Sequence, residues 1–367
     1  MKSISWLTAD YFIDVDLPII RDLSCSYNIK WIIVINYNST ISYESFVKKA
    51  LGEAKLSINF IYLKKRLRSL KIINEYFQII QQAKSFQPDL YYLSFLGMPY
   101  ALLLYKIFLP LDRCVIPCHN VTTPKGARSE YVARIYTHLW LSSFKNIQVF
   151  SKGQYKKLVE KYKNKNVLYA PLAIKDYGQP NKNVNKLGMN EIRFLFFGNI
   201  VEYKRVDILI EAAELLASKG LNFKVRIAGA CFNWANYQSL IKHPEIFELS
   251  IRRIPNEDVA DLFADSHYFV MPYQDIAQSG AITVAFRYNL PVICSNIEQF
   301  KEFVIDNETG FMFNNMDVNS LADKMEWVIL NHKQIYSSVC QKESSFVHRN
   351  FSLNAIVCRY KDYFDKL

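Results

Sequence analysis

The chain has 367 residues, half of them hydrophobic and 15% aromatic, with 45 Lys+Arg against 34 Asp+Glu and a formal charge of +11. This composition excludes a disordered, collagen-like or disulfide-stapled chain, and the length suits roughly two domains. The charge is uneven: residues 1–190 hold 27 basic and 12 acidic side chains, residues 191–367 hold 18 and 22.

Asp10 and Asp14 come too early for the apolar core of a signal peptide. Residues 31–36 and 58–63 read as short apolar strands, and 72–83 as an amphipathic helix. The stretch 91–111 is apolar apart from Ser94 and Lys106, but Gly97, Pro99 and Pro110 interrupt it. It reads as a strand (90–95), a turn and a buried helix (100–108) rather than a membrane span. Residues 114–117 and 147–150 are further strands. Polar residues 175–190, with two glycines and a proline, have linker composition. The pattern then restarts, with strands at 192–197, 223–228, 268–271 and 292–294. Helices are expected at 206–219, 258–264, 281–288 and 321–330, and a last one over 354–367. Continuous apolar strands alternating with helices indicate parallel sheets covered on both faces. The expected fold is α/β, with two Rossmann-like doubly wound domains facing a cleft.

The seven cysteines are odd in number and widely spaced, without Cys-x-x-Cys, and are expected as buried free thiols in a reducing compartment. Cys114, Cys118 and His119 lack a second ligand cluster, so no metal is expected.

Doubly wound sheets bind ligands beyond the carboxyl ends of their strands, which directs attention to two turns. In the first, Gly198 and Asn199 end a strand, and Lys204 and Arg205 stand at the mouth of the following helix. An anion there would meet both cations and the helix N-terminus, although two solvated surface cations would look the same. In the second, Gln278, Ser279 and Gly280 open a helix after a strand. Their N–H groups suit a phosphate, although an ordinary serine cap would also account for Ser279. Neither turn is a Walker motif, and no Gly-x-Gly-x-x-Gly follows the first strand, so nicotinamide and flavin sites are poorly supported.

The segment from Gly198 through Lys204 to Ala212 resembles the "Gly-Arg-Leu…Lys-Gly…Leu-Leu-Glu-Ala" segment of family 4 glycosyltransferases. The stretch Met271-Pro-Tyr…Gln278-Ser-Gly280…Pro291-Val-Ile…Glu302-Phe-Val…Thr309-Gly310 resembles that family's donor-site block. The resemblance covers roughly residues 190–330. It departs at Asn199, where the family has arginine, and at Ile276 and Val284, where it has two glutamates. The resemblance implies the GT-B fold: an acceptor-side domain over 1–180, a nucleotide-sugar domain over 190–350, and a closing helix over 351–367 that packs back on the first domain. It implies a retaining, metal-independent glycosyltransferase that builds surface polysaccharide or glycolipid. The nucleotide-sugar enters as substrate and no cofactor is required. Lys204, Arg205, Gln278, Ser279 and Gly280 would hold the donor diphosphate, supported by Gly198, Asn199 and Glu302. His119 would act on the donor sugar or the acceptor hydroxyl. A nucleotide-sugar epimerase and a non-catalytic GT-B partner subunit are the alternatives.

The densest basic clusters, Lys48 and Lys49, then Lys64, Lys65, Arg66 and Arg68, flank the apolar run 58–63. Basic residues beside apolar ones suit an anionic membrane surface and a glycan or lipid-linked acceptor. No nucleic-acid module is recognisable, so nucleic acid is not expected. A cytoplasmic protein, peripheral at the inner face of the cell membrane, is the expectation.

Overall fold

The computed structural model describes residues 1–37, 39, 43–52, 56–67, 69–122, 130–181, 186–188, 190–276 and 279–367. The chain divides into two compact units, residues 1–173 with 353–367, and residues 174–352.

Unit 1 alternates strand and helix: β1 (Ser3–Ala9), α1 (Ile13–Leu23), β2 (Asn28–Ile35), α2 (Tyr43–Leu51), β3 (Ser57–Tyr62), α3 (Ile73–Lys84) and β4 (Leu90–Leu93). It continues with α4 (Pro99–Phe108), β5 (Cys114–Cys118), α5 (Glu130–Ser143), β6 (Asn146–Val149), α6 (Lys152–Lys161) and β7 (Asn166–Tyr169). All seven strands run parallel in the order β3-β2-β1-β4-β5-β6-β7. Strand order therefore reverses between β1 and β4. Apolar residues in continuous runs bury both faces. One face packs α3, α4 and α5, the other α1 and α2.

Unit 2 repeats the plan with β8 (Ile192–Phe197), α7 (Val206–Ala217), β9 (Phe223–Ala228), α8 (Ala235–Gln238), β10 (Phe247–Ser250) and α9 (Asn256–Ala264). It ends with β11 (Tyr268–Met271), α10 (Gly280–Arg287), β12 (Val292–Ser295), β13 (Gly310–Phe313) and α11 (Val318–Phe351). Its parallel order is β10-β9-β8-β11-β12-β13, with the reversal between β8 and β11. The doubly wound α/β class read from the sequence is the one observed. A closing helix, α12 (Leu353–Phe364), lies on the α1 face of unit 1. Its Ile356, Val357, Tyr360 and Phe364 are buried, and Tyr360 Oη accepts from Gln148 Nε2 at 2.6 Å.

Three expectations change. The helix expected over 321–330 is the first part of α11, which runs 34 residues. The polar segment after residue 174 is no free tether where described. Asp176 pairs with Arg287 at 2.8 Å, Asn181 is held by Asp261, and Tyr288 Oη donates to Gly178 O at 3.0 Å. The cysteines are all free, but Cys25 and Cys358 are exposed and only partial cover is given to Cys231 and Cys340. Among the described residues no helix is long and apolar enough to cross a membrane.

Candidate functional site

In unit 2, the reversal between β8 and β11 brings together the ends of the two strands whose turns the sequence marks. The turns touch directly. Gln274 N–H donates to Tyr203 O at 2.8 Å, and the Tyr203 and Tyr273 rings meet edge to face at 6.0 Å. Gly198 ends β8 with φ +115°, a conformation that disfavours a side chain. A Cβ on Gly198 would stand 3.0 Å from Lys204 Nζ, and one on Gly229, after β9, would stand 2.0 Å from Gly198 O. Bare backbone at 198 and 229 thus shapes the pocket that receives the lysine.

Lys204 ends a 3-10 turn (Glu202–Lys204) and folds back over this pocket. Its Nζ lies 5.7 Å from the centre of the Phe196 ring and 5.4 Å from that of Tyr273. Burial lowers its pKa to about 8, and no carboxylate contributes. Among the described residues no ion pair reaches it. A partly buried ammonium faced by rings and not by carboxylates is arranged to receive an anion.

Arg205 is placed differently. Its backbone is left-handed (φ +49°), which turns the guanidinium onto Asp207. Nε stands 3.0 Å from both carboxylate oxygens and Nη2 2.5 Å from Oδ2. Nη1 meets Met316 Sδ at 2.7 Å. The sequence ranks Arg205 as the weaker of the two cations, and the fold commits it to Asp207.

Ser279 is buried at the N-cap of α10, and its side chain makes no cap bond. Thr283 Oγ1 instead donates to Gly280 O at 2.8 Å. A Cβ on Gly280 would meet nothing within 4 Å, so there is open space over the first turn of α10. Gln278 lies outside the described residues. Asn199 is exposed beside Gly198, and Glu302 is half-buried beyond β12. Val284 is 2% exposed within the core of unit 2, and Ile276 packs against that core. A carboxylate at Val284 would be enclosed by apolar side chains. Sequence reasoning assigned no role to Tyr273, Ser295 or Gly229. Ser295 Oγ donates to the Tyr273 carbonyl at 2.5 Å and holds the backbone from which the ring facing Lys204 projects. The glycine directly after β9 was the available signal for that loop.

Unit 1 has its own site at the β1/β4 reversal, a cavity of ≈ 290 Å³. Its walls include Tyr11 and Phe12 after β1, Gly97 and Met98 after β4, His119 after β5, and Trp140 of α5. The His119 ring is stacked between Phe12 at 4.6 Å and Phe150 at 4.3 Å. Tyr136 Oη donates to Gly97 O at 2.7 Å, and Met98 N–H donates to Tyr76 Oη at 3.1 Å. Gly97 is at φ +69°, and a Cβ there would stand 2.1 Å from Tyr76 Oη. Beneath this wall Asp16 is fully enclosed and accepts from Thr8 Oγ1 at 2.7 Å. Burial raises its pKa to about 6.

The basic residues lie at the edge of the sheet around β3, where Tyr62 Oη at the end of the strand donates to Glu44 of α2 at 2.9 Å. Lys48 is exposed on α2, which packs on the α1 face of the sheet. Lys64, Lys65 and Arg66 are exposed on the segment that enters the α3 face. Arg68 and the Lys49 side chain lie outside the described residues.

Residues 179–341 match the family model of glycosyl transferases group 1. The chain is 24% identical over 204 residues to a Haemophilus influenzae protein named an uncharacterized glycosyltransferase, covering 55% of this chain and 56% of that one. It is 24% identical over 166 residues to the capsular polysaccharide biosynthesis glycosyltransferase CapM of Staphylococcus aureus, covering 44% and 42%. The chain thus spans about half the length of the curated relatives it matches. Among solved structures it is similar to Anabaena Alr3699/HepE in complex with UDP and glucose. That TM-score is 0.73 at 14% identity, with all of both chains covered. At that identity the likeness is one of fold, the GT-B fold.

Proposed function

We propose that this chain is a glycosyltransferase that moves a sugar from a nucleotide-sugar, held by unit 2, to a hydroxyl of a glycan or lipid-linked acceptor. The product belongs to surface polysaccharide or glycolipid biosynthesis. The observation that carries the reading is Lys204, a partly buried ammonium without a carboxylate, at the strand reversal of the unit that matches the family model. Breaking the bond between an anomeric carbon and a nucleoside diphosphate leaves negative charge on the departing phosphate oxygens. Lys204 Nζ and the N–H groups that begin α10 at Ser279 and Gly280 offset that charge as it develops. Positive charge from these groups makes the proposed transfer metal-independent, and we take it to retain the anomeric configuration. Arg205 contributes little directly, because Asp207 already occupies it. UDP is the nucleotide tried first, since the fold relative Alr3699/HepE holds it. His119, fixed between two rings at the unit 1 cavity, is the proposed contact to the donor sugar or the acceptor hydroxyl. The protein works at the inner face of the cell membrane, where the exposed Lys64, Lys65 and Arg66 face anionic lipid.

The test is calorimetric titration of UDP and UDP-sugars into the wild-type protein and Lys204→Ala. A charge-assisted contact worth about 1.5–3 kcal/mol predicts affinity lower by roughly 10- to 100-fold. Equal affinity in the two proteins would remove Lys204 from the site.

A further inference from the structure

The chain passes from one unit to the other in a single step. Ala173 packs with a core of unit 1, whereas Ile174 and Tyr177 pack on the core of unit 2. The next residues follow one side of α10. Lys175 N–H donates to Thr283 Oγ1 at 3.4 Å, and Asp176 Oδ2 accepts from Arg287 Nε at 2.8 Å. Tyr177 N–H donates to Tyr288 Oη at 3.2 Å, and the same hydroxyl donates to Gly178 O at 3.0 Å. The partners advance toward the C-terminal end of α10 as the segment advances, so residues 175–178 lie along the helix in a fixed register. A helix of eight residues does not hold itself together in water. Its placement comes from what is packed and bonded along it.

Thr283 connects this contact to the site. Residues 282–286 are all buried, and Thr283 is the polar side chain among them. A buried hydroxyl with apolar neighbours costs stability unless it is hydrogen-bonded. Thr283 Oγ1 makes two bonds: it accepts from Lys175 N–H and donates to Gly280 O at 2.8 Å. One atom thus joins the segment that has just left unit 1 to the first turn of α10. Ser279, at the N-cap, makes no side-chain cap bond. That turn therefore lacks the usual serine clamp and is held from the Thr283 side.

We propose that residues 175–178 are a splint that sets the first turn of α10, and that Thr283 is a positioning residue joining the splint to the N–H groups at Ser279 and Gly280. A diphosphate at that turn and a seated splint then favour each other, because each is bound best by the same placement of α10. Ligand firms the splint, and loosening the splint costs ligand affinity, although residues 175–178 need not touch the ligand. The step to the ligand rests on the transferase reading; the attachment of the splint to α10 does not.

The experiment combines UDP titration with hydrogen exchange on the intact protein. Thr283→Val keeps the volume and removes the hydroxyl, and is expected to lower UDP affinity about 3- to 10-fold, the scale of one neutral hydrogen bond. Thr283→Ser keeps the hydroxyl and is expected to stay within about twofold of wild type. Tyr288→Phe, which releases Tyr177 and Gly178, is expected to lower affinity about threefold. The control is Tyr268→Phe, which removes a hydroxyl bonded to His332 Nδ1 at 3.1 Å, at the far end of β11. It is expected to lose stability in chemical denaturation with UDP affinity unchanged. In wild type, UDP is expected to slow exchange over residues 175–178, and Thr283→Val to abolish that slowing. Wild-type affinity in Thr283→Val overturns the proposal. So does a loss in Thr283→Ser as large as in Thr283→Val, or an equal loss in Tyr268→Phe, since the effect is then general destabilisation. Should Thr283→Val misfold, wild type decides: slower exchange over 175–178 with UDP supports the splint, and unchanged exchange overturns it. If wild type binds neither UDP nor any UDP-sugar, the donor reading fails by itself. The splint is then judged on exchange at Thr283 and Val284 in Tyr288→Phe, where faster exchange upholds it and unchanged exchange overturns it.

Discussion

The two units share one architecture and differ in what they place at its reversal point. Unit 1 is basic, and its β1/β4 reversal opens into an aromatic cavity with a histidine clamped between two phenylalanines. Unit 2 holds 18 Lys+Arg against 21 Asp+Glu, yet its β8/β11 reversal presents an ammonium that no acidic neighbour neutralises. A doubly wound sheet fixes where a ligand sits; the side chains at the strand ends fix which ligand. Net charge is a poor guide to the site, because unit 2 meets its proposed anion with one positioned cation inside a neutral-to-acidic body.

The comparison breaks first at its glycines. In Gly229→Ala the new Cβ meets the carbonyl of Gly198, which is backbone and cannot swing aside, while in Gly97→Ala it meets the Tyr76 hydroxyl. Chemical denaturation is expected to show losses of about 3 kcal/mol or more at Gly229 and slightly less at Gly97. UDP binding should fall with the first variant and be spared by the second. Comparable UDP affinity in both would dissociate the Gly198–Gly229 contact from the site.

Acid should act in opposite directions on two buried groups, one in each unit. His267 Nδ1 accepts from Arg193 N–H at 3.0 Å, and its Nε2 meets Lys186 O at 3.1 Å. Burial holds its pKa down to about 4, from an ordinary 6.5. The fold favours neutral His267, so its contribution is present above pH 6.5 and is lost as pH falls toward 4, up to about 3 kcal/mol. Asp16 works the other way. Its folded pKa of about 6 exceeds the ordinary 3.8, so the fold favours the protonated acid. Unit 1 therefore gains stability as pH falls from 6 to 4, by a similar upper bound. Glu343, also in unit 2 and with its pKa held well above the ordinary value by burial, gains with acid as Asp16 does. The His267 loss is therefore read by comparing wild type with His267→Gln from pH 7 to pH 4.5 in hydrogen exchange of unit 2; an equal acid response in the two would contradict the assignment.

Smaller effects separate the proposed roles. His119→Ala should lower turnover by roughly 10- to 100-fold, the scale of one lost charge-assisted hydrogen bond, with UDP affinity within about twofold of wild type. UDP affinity should instead decline as pH rises through about 8, where Lys204 loses its proton. Arg205→Ala should change UDP affinity least, less than about threefold. A larger loss would mean that its guanidinium leaves Asp207 for the ligand.

The fold class and both turns of unit 2 were legible in sequence because short apolar strands ending at Gly198 and before Ser279 carry local signals. The full length of α11 was not. Its buried positions continue as His332, Tyr336, Val339, Glu343 and Val347, a helical spacing in which His332 and Glu343 occupy core positions and interrupt the apolar pattern. Burial raises the Glu343 pKa far above the ordinary value, which lets the side chain sit there uncharged. The apolar exterior of α4, where Leu103 and Ile107 are exposed, was equally hidden, since ten nearly all-apolar residues read as a buried helix whichever face is covered.

Sequence by itself determined the alternation of strands and helices, the excess of positive charge in the first half and the identity of the candidate cation pair, because these depend on residues near one another in the chain. Tertiary structure alone decided that Lys204 folds over Gly198 between the Phe196 and Tyr273 rings while Arg205 is held by Asp207. It also decided that residues 11, 97, 119 and 140 share one cavity. Those outcomes follow from strand order and burial, which bring distant residues together and set the direction in which each side chain points.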